Sequence, residues 1–376
     1  MKEPSGDRRG TVSKKTKKTA SVKTSDDAWV KKNMMAAGDP ETADVALLKD
    51  EIRRLQRRDT QQQGIRTLIR EAVHETWRRP PTLVMPKEPK STGKGNEEVA
   101  VLHISDVQWG KVTEDYNSLV AAKRLMDLAT RTVEVTEVRR TAAKIDTIHV
   151  YLGGDMVEGE TIFSKQVWEI DSPVLTQTKA CASTVASIGL YLLKHFKRVK
   201  FCTVPGNHGR SAPRSTQASS ASNWDNASYD FAKTMLLGTD DYPHKDIRAR
   251  CEFDVSETWY YLDRVLGWGN LMVHGDQISG GFAGYPFYGV GRKALGWIDT
   301  IPATWTYLWL GHFHTYGRLV INKREWLANG SPESKNQFAA QNLAACGDPV
   351  QRLAFFNARL GLISDVPIYL GERVVK

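Results

Sequence analysis

The stretch 99-VAVLHISDVQ-108 decides the fold. Its first six positions form a mostly β-branched and apolar run of the length of a buried strand, and Ser105-Asp106 ends it with side chains that favour turns. The same grammar recurs downstream. Residues 147–152, 199–204, 270–273, 307–310 and 325–328 are similar short runs, each read as a strand. Between them, apolar side chains recur at helical spacing: Leu119, Ala122, Met126, Ala129 and Val133; Cys181, Val185, Ile188, Leu192 and Phe196; Trp224, Ala227, Phe231 and Met235. These stripes are core faces, not cofactor sites. Strands alternating with amphipathic helices predict an α/β fold, and no internal repeat is visible.

The chain has 376 residues, 41% hydrophobic and 25% charged, enough for one large domain and an appendage. It contains no run of eighteen apolar residues and no apolar stretch behind its N-terminal lysines, which predicts a soluble, cytoplasmic protein without a membrane span or secretory signal. Cys181, Cys202, Cys251 and Cys346 stand far apart, without CxxC pairs, and read as buried small hydrophobes.

The net charge of +9 is unevenly placed: residues 1–95 hold 22 Lys+Arg against 13 Asp+Glu, and the rest is balanced at 30 against 30. Residues 1–40 carry almost no large apolar side chains and are expected to form a disordered basic arm. Residues 41–80 are helical in composition, with Leu48, Ile52 and Leu55 on one face, and Ile65, Leu68, Ile69 and Val73 after Gly64. A helical hairpin or a short oligomerising coil would fit; Asp59 and Gln62 interrupt any continuous heptad. Residues 81–98, rich in Pro, Gly and Lys, form a linker, and the main domain spans 99–376. Two readings of the basic arm stand side by side: electrostatic attachment to a polyanion, and solubility alone.

The chemistry lies just beyond the strands. Asp106-Val107-Gln108 follows the first, Gly154-Asp155 the second, Gly206-Asn207-His208 the third, His274-Gly275-Asp276 the fourth and Gly311-His312-Phe313-His314 the fifth. In sheets with helical crossovers, ligands bind at the carboxyl ends of strands. Carboxylates, imidazoles and an amide oxygen gathered there suit divalent Mn, Fe, Zn or similar ions. Asp-x-Gln and Gly-Asp are ordinary turn sequences when met alone, but His312 and His314 share one face of an extended segment. Five such motifs in order make chance a poor explanation.

SDVQ, GGDMVEG, VPGNHG, VHGD and GHFH together resemble the motif series of the calcineurin-like metallophosphoesterases, over roughly residues 99–331. The resemblance implies a four-layer α/β/β/α sandwich, carrying here a basic, partly disordered and helical N-terminal appendage. It further implies one metal held by Asp106, Gln108, Asp155 and His314, and a second held by Asp155, Asn207, His274 and His312, with Asp155 as the bridge. His208 resembles the family's histidine outside the metal shell that contacts phosphate and protonates the leaving oxygen; orienting Asp106 is its structural alternative. Glu158 and Asp276, next to ligands, are either partners of the ligands or solvated loop carboxylates. One position departs from the family pattern: Gln108 stands where histidine is usual. An amide oxygen is a hard ligand, so this change either favours Mn or Mg over Zn or weakens one site, with both sites still expected to fill.

Three functions compete. GDMVEGETIFSKQ faintly resembles the corresponding stretch of the proofreading small subunit of archaeal polymerase D, and the motif order resembles repair nucleases; with the basic arm this points to a DNA nuclease, of phage or bacterial setting and acting in the (host) cytoplasm. Arg210 and Arg214, close behind His208, are phosphate contacts in that reading and ordinary surface charges otherwise. Residues 279–305 hold six glycines, several aromatics, Arg292 and Lys293, and read either as a loop that stacks bases at the entrance or as a packed surface loop. The second function is a phosphomonoesterase or cyclic-nucleotide phosphodiesterase on small molecules. The third is a non-catalytic DNA-associated protein that keeps the fold.

Overall fold

The computed structural model describes residues 83–371, except 85, 91–92, 94, 164–165, 213–219, 221, 280–284 and 335–346. The expected arm 1–40 and helical segment 41–80, Arg214 and Cys346 therefore lie outside the described residues.

Strand β1 (Glu97–Ile104) leads through α1 (Ser118–Arg140) to β2 (Lys144–Leu152), through α2 (Val174–Leu193) to β3 (Arg198–Thr203), and through α3 (Trp224–Leu237) and α4 (Lys245–Arg248) to β4 (Cys251–Asp254). There follow β5 (Tyr260–Val265), β6 (Trp268–Val273), α5 (Phe287–Thr300), β7 (Tyr307–Leu310), β8 (Gly317–Ile321), β9 (Arg324–Ala328), β10 (Val350–Asn357) and β11 (Gly361–Tyr369). The first sheet has the order β11-β10-β1-β2-β3-β4, with β1 to β4 parallel and the β10–β11 hairpin antiparallel at one edge. The second has the order β5-β6-β7-β9-β8, its three central strands parallel and both edges antiparallel.

Both faces of β1 are buried, which explains its apolar run, interrupted at His103. Ala100, Leu102 and Ile104 join a core with α1, α2 and α3, through Leu125, Val185, Ile188 and Phe231. Val99 and Val101 point the other way, against Met272, Tyr307, Trp309 and Leu327 of the second sheet. That sheet's outer face packs on α5 through Val290, Ala294 and Trp297. The result is the four-layer α/β/β/α sandwich.

Several sequence expectations shift. In α1 the buried stripe runs through Ala121, Leu125, Leu128, Thr132 and Thr136, whereas Leu119 is 82% exposed: it lies in the first turn, whose start is fixed by the Asn117 cap on Leu119 N and Val120 N. Within 279–305, residues 287–300 are helix α5 and not a loop. Two of its glycines serve close packing: a Cβ on Gly289 would collide with the Ser279 carbonyl, and one on Gly291 would press on the Trp326 ring. Strands β4, β5, β8, β10 and β11 were not foreseen. In β10 the apolar pattern is interrupted by Arg352, which is fully buried, ion-paired with Asp365, hydrogen-bonded to the Gly317 and Ala328 carbonyls and stacked over Tyr316.

One buried polar seam crosses between the sheets. Asp263 on β5 accepts hydrogen bonds from His149 Nδ1 (2.6 Å) and Tyr151 Oη (2.8 Å) of β2 and from Lys200 Nζ (3.0 Å) of β3. Cys181, Cys202 and Cys251 are free and buried, as expected. Among the described residues no helix is long and apolar enough to cross a membrane.

Candidate metal centre

The carboxyl ends of β1, β2 and β3 in one sheet and of β6, β7 and β9 in the other meet at one end of the sandwich. Backbone hydrogen bonds carry the ladders past the strands: Asp106 N donates to Gly154 O (3.0 Å), Gln108 N to Asp155 O (2.8 Å), Gly311 N to His274 O (2.9 Å) and Asn329 N to Leu310 O (2.8 Å). Side-chain bonds join the sheets here. His312 N donates to Asp106 Oδ1 (2.8 Å), and His274 Nδ1 donates to Gly153 O (2.8 Å).

Backbone conformation marks the same positions. Asp106 (φ 56°), Gln108 (45°), Asp155 (51°), His312 (67°) and His314 (50°) all occupy the left-handed region, which disfavours side chains with a Cβ. Each such residue costs roughly 1–3 kcal/mol and persists where the surroundings fix it. The other described non-glycine residues with positive φ, Leu266 and Asn322, sit in the β5–β6 and β8–β9 turns, where such angles are usual. The chain has turned its expected ligands into one space at the expense of backbone comfort.

Asp155, His274 and His312 offer ligand atoms that all lie within 4.8 Å of one another. His274 Nε2 is 3.0 Å from both Asp155 Oδ2 and Asn207 Oδ1. Because Nδ1 carries the proton given to Gly153 O, the Nε2 lone pair faces two oxygen lone pairs, an arrangement that is repulsive until a cation lies among them. The alternative is a second proton on the ring. Burial opposes that charge, but Asp155, with Asp106 and Asp276 behind it, pushes His274 up to about 10. Burial would raise the Asp155 carboxyl, yet His274 and His208 hold it well below the usual carboxylate range. Burial and the neighbouring His274 lower His312 to about 4, so its imidazole keeps a free lone pair at neutral pH.

Asp106, Gln108 and His314 form the adjoining half. His314 Nε2 is 3.5 Å from Asp106 Oδ1 and 3.4 Å from Gln108 Nε2. Asp106 Oδ2 and Gln108 Oε1 are buried without a hydrogen-bond partner among the described residues. Buried oxygens are rarely left so, and carboxylate and amide oxygens are both donors that a divalent cation accepts. The donor set of carboxylates, amide oxygens and imidazoles therefore fits the metal chemistry expected from the sequence.

His208 stands beside this cluster. Its Nδ1 is 2.8 Å from Glu158 Oε2, and its Nε2 is 3.3 Å from Gln108 Nε2 and 3.9 Å from Asp155 Oδ2. A carboxylate on Nδ1 fixes the proton there and leaves Nε2 facing the cluster. Burial opposes the imidazolium, but Glu158 and then Asp155 outweigh it and push His208 up to about 9. Glu158 is thus a buried partner of His208 rather than a solvated loop carboxylate. Its own carboxylate is steadied by Lys111 Nζ (3.5 Å), which also pairs with Glu169 (2.8 Å). Arg210 is ion-paired with Asp276, tying the loop after β3 to the loop after β6.

Four residues that sequence reading passed over hold the site together. The buried Asp225, in the first turn of α3, accepts hydrogen bonds from Asp155 N (2.9 Å), Met156 N (2.9 Å), Val157 N (3.1 Å) and Gly206 N (2.8 Å). Burial and the Asp155 charge raise it to about 6 against the pull of these amides. Its only sequence trace was a helix start at Asn223-Trp224-Asp225, which reads as capping. Gln351 Oε1 accepts from Ser105 N (2.8 Å) and Asn329 Nδ2 (3.0 Å), and Ser331 Oγ donates to Asp106 O (2.7 Å).

No family model matches this chain, and no curated protein does. Among solved structures, it is similar to wild-type Vps29 complexed with zinc from Entamoeba histolytica (11% identity, 72% of this chain, 99% of that one, TM-score 0.33). A phosphoesterase from E. coli, Yfce, matches at 11% identity over 71% of this chain and 98% of its own, with a TM-score of 0.29. An archaeal phosphodiesterase matches at 8% identity over 72% and 99%, with a TM-score of 0.33. These likenesses are remote, and the chemistry is read from the site's own geometry.

Proposed function

We propose that this chain is a metal-dependent phosphodiesterase that acts as a DNA nuclease. One observation carries the hydrolase reading: a set of buried, mutually facing lone pairs lies directly beside a carboxylate-held imidazole. Asp106, Gln108, Asp155 and His314 would hold one divalent ion, and Asp155, Asn207, His274 and His312 a second. Mn is the favoured metal, because Gln108 contributes a hard oxygen. Bound there, the ions supply positive charge that polarises a phosphoryl oxygen and makes water acidic near neutral pH.

The protein's own part is positional and protonic. Asp155 and Asp106 sit at fixed depth because Asp225, Gln351 and Ser331 hold their loops. His208 carries a proton on Nε2 toward the departing oxygen, while Glu158 on Nδ1 stabilises the charged ring. Arg210 and Arg214 would contact the phosphate from the same loop.

The DNA preference rests on the basic residues 1–95 acting as an electrostatic arm ahead of a catalytic domain at 99–376, with 41–80 as a helical segment that could oligomerise and 81–98 as linker. A cytoplasmic, phage-related setting belongs to the same proposal. One observation favours the small-molecule reading instead: beyond residue 95 the charges balance, and Arg210 is already neutralised by Asp276. The His208–Glu158 pair speaks against a non-catalytic protein, since a scaffold has no need of it. The test is incubation with labelled single-strand, duplex and nicked DNA in Mn, with Asp155→Ala as control. Cleavage by the wild type alone is expected; hydrolysis of a small chromogenic phosphodiester with every DNA form left intact would give the site to small molecules.

A further inference from the structure

The segment that follows Glu158 carries an aromatic side chain that none of the metal chemistry uses. The Phe163 ring lies 4.7 Å from the His208 ring, centroid to centroid, tilted by 49°, and is 45% exposed. It covers one side of the imidazole and presents its remaining surface to solvent at the mouth of the site. Its position is built, not incidental. Gln166, itself buried, accepts from Ile162 N (2.9 Å) and Phe163 N (3.3 Å) through Oε1, while its Nε2 donates to the carbonyl of Glu158. The aromatic ring and the carboxylate that orients His208 therefore hang from one side chain. The same segment is pinned to the loop after β1, where Val112 N donates to Glu169 O (2.8 Å) and Asp171 N to Gly110 O (2.9 Å).

We infer that Phe163 is a specificity-determining residue that receives the leaving group, taking a nucleoside or another flat aromatic substituent. The inference rests on the hydrolase reading above. The oxygen that accepts the His208 proton must lie within hydrogen-bond reach of Nε2. Whatever that oxygen is attached to then emerges beside the imidazole, on the side Phe163 walls. A half-exposed ring fixed there gains from burying its free face against a second π-system, and base–aromatic stacking tolerates any base. A small alkyl leaving group gains nothing, because it does not reach across the ring.

The experiment compares two diesters with similar alkoxide leaving groups in the Mn-loaded enzyme: cleavage of the dinucleotide TpT, and release of methanol from thymidine methyl phosphate. Phe163→Ala should lower kcat/KM for TpT about tenfold and leave methanol release within twofold, while Phe163→Trp should retain TpT cleavage. An equal fall on both substrates would mean that the ring only shields His208, and an unchanged TpT rate would mean that it touches nothing; either overturns the assignment while the hydrolase reading survives. A wild type that cleaves neither diester would instead overturn the hydrolase reading, and this inference with it.

Discussion

Two buried carboxylates, Asp155 and Asp263, each sit against histidine in this sandwich, and they have opposite characters. Asp263 and its neighbours His149 and Cys202 also bring potential ligand atoms within 4.8 Å of one another. Yet both Asp263 oxygens already accept hydrogen bonds, from His149, Tyr151 and Lys200, and an ammonium occupies the place a cation would want. Around Asp155 the surplus is of acceptors: even with a second proton on the ring, His274 Nε2 offers one hydrogen to both Asn207 Oδ1 and Asp155 Oδ2, and nearby Asp106 Oδ2 and Gln108 Oε1 have no hydrogen-bond partner among the described residues. Proximity of His, Cys and Asp does not define a metal site. An excess of lone pairs over protons does, and the backbone differs in the same sense, with left-handed residues around Asp155 and regular strand around Asp263.

The largest expected effect breaks the open cluster. Asp155→Ala should lose tightly held metal and lower phosphodiester hydrolysis by at least about a thousandfold, whereas His208→Ala should keep its metal and lose about 10²–10⁴-fold. Metal analysis beside turnover checks the split; a His208→Ala enzyme at full activity would remove that residue from the chemistry.

Breaking the saturated cluster should act on stability alone. Asp263→Ala leaves buried His149 without its carboxylate and part-buried Lys200 to Asp254 at 4.0 Å, and should cost about 3 kcal/mol in urea unfolding, with metal content unchanged. Burial would raise the Asp263 carboxyl, but His149 and Lys200 hold it below the ordinary range. Its contribution is therefore complete above the unfolded carboxyl's pKa of about 3.9 and is lost as pH falls toward the folded value. The wild type should lose stability more steeply than Asp263→Ala below about pH 4. Equal acid limbs would contradict the ion network.

A smaller effect sharpens the contrast by touching only the scaffold of the open cluster. Asp225→Asn keeps the shape but turns an NH2 group toward backbone amides that now donate to a carboxylate, releasing either Asp155 and Gly206, which share Oδ2, or Met156 and Val157, which share Oδ1. Metal affinity should weaken about ten- to hundredfold, measured by titration, with the fold retained in circular dichroism.

The strands of the central sheets and the polar clusters after them were legible because both are local. A buried strand shows as an apolar run, and Asp106, Asp155, His208, His274, His312 and His314 each lie within a few residues of one. The edge strands, and β10 next to one edge, were harder. β8 is largely exposed and β10 carries a buried arginine, so neither follows a plain apolar run. Helix α5 was hidden by its glycines; Gly289 and Gly291 look like loop residues until the Ser279 carbonyl and the Trp326 ring they pack against are in place.

By itself, then, the sequence determined which residues gather at the carboxyl ends of the strands and what kind of ligand each would be, because residue type and position after a strand survive without three-dimensional context. Only the tertiary structure decided how their needs are met. Asp225 reaches Asp155 across 70 residues, Gln351 reaches Ser105 across 246, and Glu158 rather than Asp106 takes the His208 ring. Whether a buried carboxylate is left hungry for a cation or satisfied by a lysine depends on the register and packing of two sheets, and side-chain periodicity along one strand does not encode which groups the other sheet will bring.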